Sequence, residues 1–194
     1  MRALLVIDAQ NEFSDKGSRS VPAHSEILVR IRWHVQRARE TREPIAWVQH
    51  HNKQHESPAF VPGSWGAELS PGLGPKGELG IEKLFQKDVF GAFFETGLEE
   101  WLHTMSVDEL LLVGFFAHMC LSTSAREALV RGFSVSIDPA TTGARDLVHP
   151  LLGRQTADEV RRTALLQLSD MGAEILDINH GLAEPSLLPE TRER

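Results

Sequence analysis

Residues 3–8 read Ala3-Leu4-Leu5-Val6-Ile7-Asp8, an unbroken apolar run that stops on a carboxylate. A strand with one wet face alternates polar and apolar residues, whereas a strand covered on both faces does not. The run therefore predicts a buried parallel strand, and such a strand needs helices on both faces of its sheet. The rest of the chain supplies them. Ile27, Leu28, Ile31, Val35 and Ala38 recur at helical spacing within residues 25–42, Pro44 resets the chain, and residues 45–48 read as a second strand. Further strands are expected at 110–113, closed by Gly114, at 133–137, ending on Asp138, and at 173–177. Helices are expected from Thr96 to about His103, from Met119 to Arg131 with a stop at Gly132, and from Thr156 to near Gly172. Thr96-Gly-Leu-Glu99 and Thr156-Ala-Asp-Glu159 both have capping-box spacing. Alternating strands and helices imply right-handed crossovers, hence an α/β fold of three αβα layers around a mostly parallel sheet. One domain is expected over residues 1–180, followed by a polar tail at 181–194. Residues 50–83 are rich in Gly, Pro, Ser and His, and a loop of that length in a compact domain is usually functional or disordered.

Charge and cysteine content narrow the function. A formal net charge of -7 over 194 residues disfavours nucleic acid and anionic membrane surfaces, which both select basic surfaces. No apolar run approaches the length of a membrane span, and the N-terminal apolar stretch is too short for a signal peptide. One cysteine forms no internal disulfide, which suits a reducing compartment and points to a cytoplasmic protein.

In open parallel sheets, ligands bind beyond the carboxyl ends of the strands. Asp8 follows the first strand, and Cys120 follows the strand at 110–113 after a short connection, so both fall on that edge. Cys120 also sits near a helix N-terminus, where free N–H groups favour a thiolate, and a nearby ammonium such as Lys87 would lower its pKa further. Taken singly, Cys120 could be a buried structural cysteine, Asp8 a turn cap and Lys87 a solvated surface lysine.

The combination is more specific. Leu4-Leu-Val-Ile-Asp-Ala-Gln-Asn-Glu-Phe13, Lys87-Asp-Val-Phe-Gly-Ala-Phe93 followed by Thr96-Gly-Leu98, and Gly114-Phe-Phe-Ala-His-Met-Cys-Leu121 followed by Thr123, Arg126, Ala128 and Gly132 occur in that order. Together with Asp138-Pro-Ala-Thr141, they resemble the isochorismatase-like cysteine hydrolases over roughly residues 3 to 178. The resemblance implies a six-stranded parallel sheet and a triad of Cys120 as nucleophile, Asp8 as general base and Lys87 as the cation holding both in charged form. It further implies an oxyanion hole from the backbone N–H groups of Phe116 and Cys120, and a cis peptide between Phe115 and Phe116. Gln10, Phe13, His51, Trp65, Phe93 and Ala117 are the candidate substrate contacts. Gln10 and Asn11 could also orient Asp8, Phe93 could equally be core, and Trp65 could meet a neighbouring subunit.

Two departures from the family pattern matter. Gly91 stands where the family usually has Ser. Nicotinamidases in the family carry an Asp-x-His…His metal site after the second strand, whereas Gln49-His-His-Asn-Lys-Gln-His55 lacks the Asp. His50, His51 and His55 suit zinc by type, but clustered histidines in a polar loop are more often solvated, so no metal or other cofactor is expected. Isochorismatases proper cleave a vinyl ether and lack the cysteine, so Cys120 points to amide, ureido or carbamoyl substrates. The expectation is a small-molecule C–N hydrolase working as a homodimer or homotetramer. The alternative is a non-catalytic member binding a small carbonyl ligand or a protein partner.

Overall fold

A computed structural model describes residues 1–53, 55–76 and 80–177; the expected tail at 181–194 lies outside the described residues. The run at residues 3–8 is the heart of the sheet. β1 (Arg2–Ile7) pairs in parallel with β2 (Ile45–His50) on one side and β4 (Glu109–Gly114) on the other. Beyond β2 lies β3 (Glu82–Lys87), and beyond β4 lie β5 (Ser134–Thr142) and β8 (Glu174–Ile175). The six strands run in the order β3-β2-β1-β4-β5-β8, and every pairing is parallel.

The pleat of β1 divides its apolar residues between two cores. Leu4 and Val6 pack with Ile27, Leu28, Ile31 and Val35 of α1 (His24–Thr41). Ala3, Leu5 and Ile7 pack on the opposite face with α2 (Leu98–Thr104), α3 (Ser122–Val130) and α4 (Ala157–Asp170), through Leu102, Ala125 and Leu168 among others. Each face of β1 is therefore dry, which is why its sequence does not alternate.

Three expectations need revision. β3 went unread at the end of the long loop, which it overlaps at Glu82 and Lys83, because its residues Glu-Lys-Leu-Phe-Gln-Lys carry charges, as befits an edge strand, and only Phe85 and Lys87 are buried. A second, two-stranded sheet pairs β6 (Leu147–His149) with β7 (Gly153–Gln155) as an antiparallel hairpin, which no periodicity announced. The capping box at Thr96 does not form. Gly97, with φ 73°, holds the N-cap position, Thr96 Oγ1 donates to the Ala92 carbonyl at 2.7 Å, and Glu99 pairs with Arg131 at 2.9 Å. The box at Thr156 does form, with both reciprocal bonds between Thr156 and Glu159.

The chain builds outward from β1 to β2 and β3, then returns to add β4 on the other side. The reversal between β1 and β4 is the switch point at which open parallel sheets leave a crevice. Asp138, within β5, anchors the far side of this edge. Its Oδ2 accepts from Arg30 Nε at 2.7 Å and lies 2.8 Å from His34 Nε2, while Oδ1 accepts from the Ala140 N–H at 2.9 Å. Burial opposes its charge, but the bonds to His34, Arg30 and Ala140 win and hold its pKa at about 2. A carboxylate with a depressed folded pKa stabilises above its unfolded pKa, near 3.9, and loses that contribution as pH falls towards the folded value. Asp138→Asn should therefore cost roughly 2 kcal/mol in urea unfolding at pH 7, and the gap to wild type should narrow below about pH 4. A gap that does not change with pH would assign Asp138 a steric role instead.

Candidate functional site

Four consecutive positions in the sheet order deliver side chains to one point. Asp8 follows β1 with φ 50°, a left-handed conformation that aspartate tolerates better than most residues. Its N–H is held by the Val48 carbonyl at 2.9 Å, so the turn is tied to β2. Lys87 is the last residue of β3 and lies in register with His50, the last residue of β2. It is 5% exposed, whereas Lys83 on the same strand is exposed.

The Lys87 ammonium uses its full donor capacity. It donates to Asp8 Oδ2 at 2.9 Å and to the Val89 carbonyl at 3.1 Å, and it lies 3.2 Å from His50 Nδ1. An ammonium only donates, so Nδ1 accepts and the His50 proton sits on Nε2, 2.8 Å from Asn52 Oδ1. Asn52 is itself oriented by its Nδ2–H bond to the Ala59 carbonyl at 2.7 Å. Gln10 holds the backbone of His50 from both sides, accepting its N–H and donating to its carbonyl, both at 2.9 Å.

Cys120 arrives from β4. Gly114 has φ 121°, and a Cβ there would collide with the Ile7 carbonyl, so glycine lets β4 close against β1 as it turns into the next segment. The Phe115–Phe116 peptide is cis. A π-helical turn, Ala117–Leu121, then leads into α3. The Met119 and Leu121 N–H groups converge on the Phe116 carbonyl at 3.1 and 3.2 Å, and the Ala117 N–H bonds the Gly143 carbonyl at 2.8 Å. Cys120 Sγ, a carboxylate oxygen of Asp8 and a ring nitrogen of His50 lie within 4.8 Å of one another.

The expected lowering of the thiol pKa is reversed. Burial and the neighbouring Asp8 carboxylate push the Cys120 thiol up, against the opposing pull of Lys87. The resting sulfur therefore keeps its proton. Burial alone would lower the Lys87 pKa, but the Asp8 charge and the hydrogen bond to it raise it, so the ammonium stays charged. Asp8 Oδ1 has no hydrogen-bond partner among the described residues, and a carboxylate oxygen so placed is an acceptor for the thiol proton.

A cavity of about 280 Å³ opens onto this point. Asp8, Phe13, His50, Phe116 and Cys120 line it, together with Asn52, Phe60, Phe90, Met119, Arg19 and Arg145. Of the residues expected to contact substrate, Phe13 is on the wall. Gln10 is buried behind it as the clamp on His50, and Ala117 is buried with its N–H spent on Gly143. His51, Trp65 and Phe93 are not on the wall. His51 N–H bonds the Lys87 carbonyl at 2.9 Å, Trp65 is 48% exposed in a turn of its own, and Phe93 packs on Phe133 in the α2–α3 core. Phe90, three residues before Phe93, reaches the cavity instead. The loop residues Arg19, Asn52, Phe60 and Arg145 escaped sequence reasoning because nothing local in a loop tells which way it folds back.

The donor set does not fit a nicotinamidase-type metal site. Among the described residues the His/Cys/Asp/Glu cluster is Asp8, His50 and Cys120, without His51 or His55. The Lys87 ammonium already occupies its Asp8 and His50 donors, so the cation at this centre is the lysine itself. Gly91 also has an explanation. A Cβ there would collide with the Glu127 carboxylate, which occupies that space and accepts from the Phe93 N–H at 3.1 Å. Ser124 Oγ accepts the neighbouring Ala92 N–H at 3.1 Å, so α3 holds the segment after Lys87 without help from a residue 91 side chain.

Similarity to known proteins agrees with this architecture. Residues 2–180 match the Isochorismatase domain. A secreted isochorismatase effector of Verticillium dahliae is 31% identical over 180 residues, covering 91% of this chain and 89% of the relative. Nicotinamidase 3 of Arabidopsis thaliana is 30% identical over 157 residues, 75% of each chain. A solved isochorismatase from Pseudomonas putida superposes with a TM-score of 0.82 at 26% identity, over 90% of this chain and 86% of the other. With a parallel sheet that gathers Asp8, Lys87 and Cys120 at its switch point and a domain match over nearly its whole length, the chain belongs to the isochorismatase family.

Proposed function

We propose that the chain is a cysteine hydrolase that cleaves the C–N bond of a small amide, ureido or carbamoyl compound. The observation that carries this reading is that Asp8 and Cys120 meet on the wall of one cavity while Lys87, buried behind it, is paired with Asp8. The amide-cleaving activity named for the Arabidopsis relative supports it.

Cys120 Sγ attacks the carbonyl carbon as its proton passes to Asp8 Oδ1, so the raised thiol pKa suits a proton that moves only when the bond forms. Oxygen charge developing in the tetrahedral intermediate falls to the N–H groups of Phe116 and Cys120. Collapse breaks the C–N bond, and Asp8 returns its proton to the leaving nitrogen. The resulting thioester is cleaved by water, whose proton Asp8 takes and passes to the departing Cys120 sulfur as the C–S bond breaks. Lys87 orients Asp8 through its hydrogen bond to Oδ2, and His50 keeps Lys87 in place. Ammonia release from a panel of ureido, carbamoyl and simple amide compounds, with a Cys120 acyl adduct trapped by acid quench and read by mass, tests the reaction. Turnover without any adduct would overturn it.

Lys87→Met removes the one nearby charge that lowers the thiol pKa. The pH profile of iodoacetamide modification at Cys120 should move to higher pH, while the exposed Lys83→Met should leave it in place. An unmoved profile in Lys87→Met would remove Lys87 from the mechanism.

The lone cysteine supports a reducing, cytoplasmic setting, and among the described residues no helix is long and apolar enough to cross a membrane. Val148, Leu151 and Leu152, strongly exposed around the β6–β7 hairpin, support a homodimer or homotetramer, which light scattering measures directly.

A further inference from the structure

Among the described residues three acids are buried: Asp8, Glu12 and Asp138. Asp8 serves the reaction above and Asp138 ties β5 to α1, but Glu12 has no part in either. An acid is seldom buried unless its charge is answered. Glu12 is 7% exposed, and hydrogen bonds from two separate loops answer it. Its Oε1 accepts from the Ser18 N–H and the Ser18 hydroxyl, both at 2.6 Å, and its Oε2 accepts from the Phe60 N–H at 3.4 Å. Burial pushes the Glu12 carboxyl up, but these bonds and the Arg19 charge outweigh it and hold the pKa below the usual glutamate range. Gly66 makes room for the group, because a Cβ there would fall 2.0 Å from Oε2.

The Phe60 end of this clamp is the strained one. Phe60 has φ 54°, a left-handed conformation that a bulky side chain adopts only where its surroundings hold it. Glu12 takes its N–H, and its carbonyl accepts the Asn52 N–H at 3.1 Å. Held in that turn, the Phe60 ring crosses the His50 ring at 88°, with centroids 5.4 Å apart, and leans on Phe13 at 5.2 Å. His50 is the residue that accepts from Lys87. Glu12 itself is not on the cavity wall, whereas Phe60 and His50 are. The contacts therefore run from a carboxylate outside the cavity, through one strained aromatic residue, to the prop of the lysine that holds Asp8.

We infer that Glu12 is a positioning residue for the hydrolysis: its carboxylate pins the Phe60 turn to the loop after β1, and through the Phe60 ring it fixes the His50 ring that props Lys87 beside Asp8. The inference rests on the hydrolase reading and adds to it a residue that touches neither substrate nor reacting atoms. A carboxylate suits this work because both of its oxygens face donors. Glutamine in the same place offers one acceptor and one donor group. Ser18, with two donors on Oε1, would claim the acceptor, and the amide N–H would then face the Phe60 N–H. Glu12→Gln is therefore almost equal in size and specific in what it breaks.

The pH profile of iodoacetamide modification at Cys120 reads the place of Lys87, whose charge lowers the thiol pKa. In Glu12→Gln the profile should move to higher pH, by less than in Lys87→Met. Its kcat should fall about 10–100-fold, the scale on which a displaced group slows catalysis. Phe60→Leu keeps every backbone bond and removes the ring, so it should move the profile in the same direction. The double variant should lose little beyond the worse single one, because both act along one path. Glu12→Gln with a lower melting temperature but the wild-type profile and kcat would make Glu12 a brace of its loops and overturn the inference alone. If Glu12→Gln does not fold, an unmoved profile in Phe60→Leu cuts the path from Glu12 to His50 and overturns it as well. Wild type that is alkylated at Cys120 yet releases no ammonia from any compound of the panel would overturn the hydrolase reading, and the inference with it.

Discussion

Cys120→Ala should fold normally and show a turnover about 10⁴–10⁶-fold below wild type, as expected when the nucleophile of a coupled catalytic group is deleted. The side chain loses one sulfur, and the protein loses no hydrogen bond that holds its elements together. The bonds that shape the nucleophile turn run through the backbones of Phe116, Ala117, Met119 and Leu121, so the melting temperature should stay within a few degrees. The measurement is ammonia release beside a thermal melt. Turnover of the same substrate at wild-type rates would sink the thioester route. A melt lowered by tens of degrees would mean that Cys120 is chiefly a core residue.

Asp8→Asn should produce the second-largest effect, and its signature is different. Asparagine can still accept from Lys87 but cannot take the thiol proton, so kcat should fall by about 10²–10⁴-fold or more with a smaller change in KM. It also leaves a buried ammonium without its counter-charge, which typically costs about 3–5 kcal/mol. In the variant, burial is expected to dominate at Lys87 and draw its pKa below the unfolded value of about 10.4. The unfolded chain then binds the extra proton, so stability should rise with pH up to that value. In wild type the sign is opposite. The Lys87 pKa is raised, so its contribution is complete below the unfolded pKa and is lost as pH climbs through the folded one. Melts from pH 6 to pH 10 should rise with pH in the variant, while the Lys87 contribution in wild type stays constant over that range. A variant that melts lower with kcat untouched would make Asp8 a turn cap.

Much of the fold was legible because the relevant signals are local and redundant. The unalternating run at residues 3–8 required cover on both faces, and α1 and α2–α4 provide it. Gly132 and Gly172, with φ of 88° and 102°, end their helices where the apolar periodicity stops. β3 was not legible, because an edge strand with one buried face carries too few apolar residues to stand out from the loop before it. The Thr96 box failed for a related reason. Spacing admits a reciprocal cap, but Ala92 and Arg131 compete for the same two side chains, and both approach only in the folded chain.

The sequence by itself determined most of the alternation of strands and helices, and with it that Asp8 and the segment leading to Cys120 would fall at the carboxyl edge; that β2 runs on to His50 was read only from the folded chain. Lys87 joined them through its resemblance-bearing segment, and its register with His50 was settled by the pairing of β3 on β2. Only the tertiary structure decided how these groups share protons and charge. Burial and Asp8 overrule the helix terminus at the thiol, a histidine that reads as a zinc ligand becomes the prop of a lysine, and Glu127 takes the place that a serine at position 91 would need. It also decided the cavity wall, where Arg19, Asn52, Phe60 and Arg145 arrive from loops. Strand direction follows from hydrophobic periodicity over a few residues. Solvation, pairing and the return path of a loop depend on atoms brought close from far along the chain, and those distances exist only once it has folded.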